Sequence, residues 1–115
     1  MDHRAKQYVR SAEGVVQCID ELVGTLRRFK NAVSTQARRI GTGTPAVAAL
    51  ESVNASTIRQ EVADALDHLD ALRHQMRVAF IALAVEEGAS MSDVARTLGV
   101  SRQLVSRIAR DIDAD

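Results

Sequence analysis

Two series of apolar residues, spaced alternately by three and four positions, run through most of this 115-residue chain and commit it to long helices. The first is Val9, Ala12, Val16, Ile19, Val23, Leu26, Val33, Ala37 and Ile40, with Lys30 in the one seam position that is not apolar. Such a series is a heptad repeat, which places its members along one side of a helix. The second is Ile58, Val62, Ala65, Leu69, Leu72, Met76, Ala79 and Leu83, without interruption. Leu66 and Phe80 broaden its stripe, so the second helix is expected to pack in a bundle and not only in a two-stranded coil. A strand would need alternation by two, and no segment has it.

The breaks between these series are equally plain. Gly41-Thr-Gly-Thr-Pro45 ends the first helix and can start a short one, and Thr57 with Gln60 three residues later resembles a capping box for the second long helix. Gly14 and Gly24 fall inside the first helix, at a cost of about 1 kcal/mol each relative to Ala. The spacing predicts a helix over 4–40, a short helix near 45–53 and a second long helix over 57–87.

The last quarter, from Ser90 to Arg110, has a different pattern. Val94, Ala95 and Leu98 form the stripe of one short helix, and Val105, Ile108 and Ile112 that of another, with Gly99 and Val100 between them. Ala95 is small where the two helices would cross. Gly99 stands where the chain must leave the first of them, commonly in a left-handed conformation. Ser101 can cap the second helix, Ser90 lies three residues before Asp93 in a weaker version of a capping box, and Gly88 loosens the approach. The pair is expected over 91–112.

With Met91 as its first position, this stretch resembles, over about twenty residues, the helix-turn-helix of phage-repressor and resolvase-type DNA-binding proteins. The residues that carry the resemblance are Ala95, Gly99, Val94, Leu98, Val100, Val105 and Ile108. It implies double-stranded DNA as partner, with Ser101, Arg102, Gln103, Ser106, Arg107 and Arg110 facing it, which are also the polar positions left over by the packing stripe. Arg bonds the guanine edge bidentately and Gln the adenine edge, so Arg102, Gln103 and Arg107 are the expected base readers. Ser101, Ser106 and Arg110, with Ser90 and Ser92 at the front of the module, are expected to hold phosphates.

Net charge is zero, which by itself argues against a nucleic-acid partner, but the distribution is uneven. Residues 1–44 carry eight Lys or Arg against four acids, and residues 45–87 three Arg against seven acids. In the remainder, Asp111, Asp113 and Asp115 lie beyond the expected reading face. The basic first helix and acidic second helix attract when they lie side by side. An antiparallel hairpin returns His3, Arg4, Lys6 and Arg10 to the end of the second helix, which makes Arg4 and Lys6 further candidates for phosphate contacts. Two helices alone cannot shield a wide apolar stripe, so the hairpin is expected to self-associate, as a coiled coil or four-helix-bundle homodimer.

The expected fold class is therefore all-α: a long antiparallel helical hairpin over 1–87, broken near 41–45, followed by a C-terminal helix-turn-helix over 88–115. The expected function is sequence-specific DNA binding by a dimeric transcriptional regulator. The same parts would serve a partition, excision or packaging protein, or a helical protein-interaction adaptor without DNA. No eighteen-residue apolar run and no signal-peptide core is present, so no membrane partner and a cytoplasmic location are expected. Cys18 is expected as a small apolar filler. Glu61, Asp64 and His68, or Asp70 and His74, share helical faces but contain no Glu-x-x-His pair, and no phosphate loop, nucleophile elbow or zinc-type cysteine pair occurs. No catalytic residue, metal or cofactor is expected, and the aliphatic seam carries no mark of a small-molecule effector.

Overall fold

The computed structural model describes residues 2–114 and is all-helical: α1 (His3–Gly41), α2 (Ala46–Ser52), α3 (Ala55–Glu86), α4 (Met91–Leu98) and α5 (Arg102–Ala114). Among the described residues no helix is long and apolar enough to cross a membrane. Asp115, the last residue of the expected C-terminal module, lies outside the described residues. The described residues form two compact units, one made of residues 2–15 and 72–114 and the other of residues 16–71.

In the second unit, the later part of α1 and the earlier part of α3 are joined through α2. α1 ends where Thr44 N–H donates to the Arg39 carbonyl (2.9 Å) and Gly43 N–H to that of Ile40 (3.1 Å). Pro45, with φ −54° and ψ 142°, then opens α2, and its carbonyl accepts from Ala49 N–H at 2.9 Å. Ala49 is fully buried. α3 starts two residues earlier than the Thr57–Gln60 pattern predicts. Asn54 turns the chain at φ 53° and its carbonyl accepts from Ile58 N–H (3.1 Å), so Thr57 is already helical. Gln60 instead donates along the helix to Asp64 Oδ1 (2.9 Å). α3 runs back along α1, with Arg28 Nε 3.9 Å from Glu61 Oε2.

The face that α1 turns inward differs from the expected one. Val15, Cys18, Leu22 and Ala32 are buried, whereas Val9, Val16, Ile19, Val23, Leu26, Val33 and Ile40 of the heptad series remain exposed. The two rows lie one residue, or about 100°, apart on the helix. The inward row is the one with the smaller side chains, Cys18 and Ala32 and the half-buried Thr25, which let a neighbouring helix approach closely. On α3 the expected stripe of Ile58, Val62, Ala65, Leu69, Leu72, Met76, Ala79 and Leu83 is buried or half-buried throughout.

In the first unit, the start of α1 lies antiparallel to the end of α3. As α1 advances from Arg4 to Tyr8, its partners on α3 step back from Glu86 to Phe80: Arg4 Nε is 3.5 Å from Glu86 Oε2, and the Tyr8 and Phe80 rings meet edge to face at 6.0 Å. α4 and α5 complete this unit.

Candidate nucleic-acid interface

The two C-terminal helices are framed by capping interactions that their sequence dictates. Ser90 adopts an extended backbone, and its Oγ accepts from Asp93 N–H at 3.1 Å to start α4. α4 ends in a left-handed turn at Gly99 (φ 71°, ψ 32°), where Val100 N–H donates to the Ala95 carbonyl (3.0 Å) and Gly99 N–H to that of Arg96 (3.3 Å). A residue with a Cβ adopts that conformation only at a cost, so glycine fixes both the position and the direction of the turn. Ser101 Oγ then accepts from Leu104 N–H (3.1 Å) and starts α5. Gly88, at φ 86°, ends α3 with the same pair of bonds, from Ala89 to Ala84 and from Gly88 to Val85.

Packing orients α5. Val94 and Ala95 from α4 and Val105, Ile108 and Ala109 from α5 are buried together with Ile81 and Ala84 from α3. Val78, Phe80, Val85, Met91, Leu98, Val100, Leu104 and Ile112 close over this core. The side chains of Ile81 and Val105 have no solvent exposure at all. The stripe read from the sequence is thus the buried one, but it meets a third helix that the sequence reading assigned to the preceding region. α4 and α5 share one core with the end of α3.

With Val105, Ile108, Ala109 and Ile112 turned inward, the opposite side of α5 is left to polar residues. Arg102, Gln103, Arg107 and Arg110 are exposed, and Gln103, Arg107 and Arg110 follow one another at helical spacing. Ser101 is exposed and uses its hydroxyl oxygen as the cap, while Ser106 is half-buried. Ser92 is exposed in the first turn of α4, and Ser90 is exposed but engaged as that helix's cap. Arg96 Nη2 is held 3.0 Å from Asp93 Oδ1 along the same helix.

The two N-terminal candidates are in different situations. Arg4 is half-buried, paired with Glu86, and lines a recess of about 230 Å³ with Ala82, Val85, Ala109, Ile112 and Asp113, so it lies beside the last turns of α5. Lys6 is exposed. Among the described residues no group of three His, Cys, Asp or Glu side chains stands close enough to hold a metal ion.

What the sequence reading missed is the part played by Phe80, Ile81, Ala84 and Val85. The signal for it was present: residues Val78 to Val85 are apolar without exception, and a helix segment that is apolar all round must be covered on more than one side. Compared with family models, curated proteins and solved structures, the chain finds no match in any of the three.

Proposed function

We propose that the chain is a sequence-specific double-stranded DNA-binding protein with no catalytic activity of its own, reading the major groove with α5 as the second helix of a helix-turn-helix and acting as a homodimer in transcriptional regulation. The observation that carries this reading is the exposed row Arg102, Gln103, Arg107 and Arg110 on a helix whose other side is locked into a three-helix core. Base discrimination requires donors and acceptors held in a fixed frame, because a bidentate bond to a base edge depends on two distances at once. Arg102 and Gln103 in the first turn of α5 and Arg107 one turn on have that frame behind them. Arg110, Ser92 and Lys6, all exposed, are assigned to the phosphate backbone, whereas Arg4 is paired with Glu86 beside the inward residues Ala109 and Ile112, away from the reading row.

Fluorescence anisotropy with a selected DNA site tests the reading. Arg102→Ala and Arg107→Ala are each expected to weaken specific binding by about 1–3 kcal/mol and to relax discrimination at one base pair, with the helical circular-dichroism signal unchanged. Affinity must also fall steeply with added salt, since phosphate neutralisation releases counterions. Equal binding by wild type and both variants contradicts the assignment of the reading face. A complete lack of salt-sensitive association with DNA favours a protein-binding role for the same helices.

A further inference from the structure

α1 carries two apolar rows, and only one is used within the chain. In the unit formed by residues 16–71, Cys18, Leu22 and Ala32 are buried, whereas Val16, Ile19, Val23, Leu26, Phe29, Val33 and Ile40 stay 39–61% exposed. The exposed residues, Phe29 apart, keep the heptad: Val16, Val23 and Lys30 repeat at one core position, and Ile19, Leu26, Val33 and Ile40 at the other. Scattered apolar residues on a surface need no explanation, but a row in strict coiled-coil register does.

We propose that this row joins two copies of the chain, with α1 lying antiparallel on the partner's α1. The area is sufficient. At roughly 180 Å² per large apolar side chain, these seven residues present on the order of 550 Å² per copy, so that a pair covers about 1,100 Å², past the ~1,000 Å² that a specific interface needs.

Charge fixes the occupant and its direction. Along one flank of the row stand Asp20 and, one heptad later, Arg27; the other flank holds Leu22 and Phe29, of which Leu22 is buried within the chain. A parallel pair would set Lys30 against the partner's Lys30 and would leave Asp20 and Arg27 facing the apolar flank. An antiparallel pair in the register that sets Val23 against the partner's Leu26 also sets Val16 against the partner's Val33, whereas sliding it by one heptad would bring Arg27 against the partner's Arg27. In the former register Asp20 stands within about 3 Å of the height of the partner's Arg27, at a rise of ~1.5 Å per residue, and two-fold symmetry makes that pair twice. Lys30 falls against the partner's Ile19, with the partner's Asp20 beside it. Opposite charges meet in this direction alone, and mismatched directions are penalised by like charges.

This surface and direction refine the dimer in the functional reading, and they are tested without DNA, so the two readings fail separately. In sedimentation velocity the full chain is expected as a dimer. Val23→Asp combined with Leu26→Asp changes residues already exposed in the single chain; helicity should be kept while the dimer dissociation constant rises on the order of a hundredfold. For direction, a Cys18→Ala chain that keeps Asp20 and Arg27 carries Val16→Cys and Val33→Cys, which lie about 25 Å apart along one helix and cannot join to each other. Oxidation should link position 16 of one copy to position 33 of the other. A wild-type monomer, or a variant that dimerises like wild type, overturns the surface. Links only between like positions overturn the antiparallel direction.

Discussion

Replacing Ile81 by Ala probes, from α3, the core that holds α5. Ile81 sits on α3, its side chain fully buried against the cluster that includes Val105 and Ile108 of α5. The substitution removes three carbons. At about 0.8 kcal/mol per buried methylene the transfer loss is roughly 2.4 kcal/mol, and a residual cavity brings the total to about 3–4 kcal/mol. Urea unfolding followed by circular dichroism, at fixed protein concentration, measures the loss. Native-state hydrogen exchange locates it: the amides of Val105 and Ile108 should lose protection along with those of α3. Leu66→Ala, on the same helix but 48% exposed, is the control and should cost well under half as much. If Ile81→Ala left the exchange of α4 and α5 at wild-type rates, those helices would not depend on α3 and the three-helix core would be wrong.

Other substitutions test separate joints of the fold. Gly14→Ala should stabilise the protein by up to about 1 kcal/mol, because Gly14 is mid-helix and an added Cβ meets nothing within 4 Å; a lowered melting temperature would contradict an unbroken α1. Gly99→Ala should cost about 1–2 kcal/mol through backbone conformation alone, since the space there is open but φ is 71°. Its urea midpoint should fall with an unchanged slope, and wild-type stability would refute the left-handed turn. Arg102→Ala and Arg107→Ala should leave both the urea midpoint and dimerisation unchanged, as both side chains are exposed.

Much of this architecture is legible in the residue pattern, and the exceptions have physical causes. Periodicity locates the long helices to within two residues, 4–40 against His3–Gly41 and 57–87 against Ala55–Glu86, because a helix propagates cooperatively once its interior is favourable. Glycine and serine chemistry locates the α4–α5 turn, where Gly99, Ser90 and Ser101 each play the part their side chains allow. The inward face of α1 was not legible. Two rows one residue apart are both largely apolar, and a heptad reading prefers the row with larger residues, while a close helix pair accepts the smaller row with Cys18 and Ala32. Nor does periodicity reveal that Ile81 and Ala84 belong to the C-terminal core, because tertiary neighbours leave no local mark except the all-apolar run from Val78 to Val85. The start of α3 was misread for a related reason: Asn54 takes up a left-handed turn that a Thr-x-x-Gln pattern does not register.

Selection of bound fragments from a random double-stranded DNA pool, using the full chain at moderate salt, tests the central claim most directly. The account predicts enrichment of a common sequence, with Arg107→Ala losing preference at a defined base pair within it. Recovery of no common sequence, or enrichment that Arg102→Ala and Arg107→Ala leave untouched, would contradict the claim that α5 reads DNA.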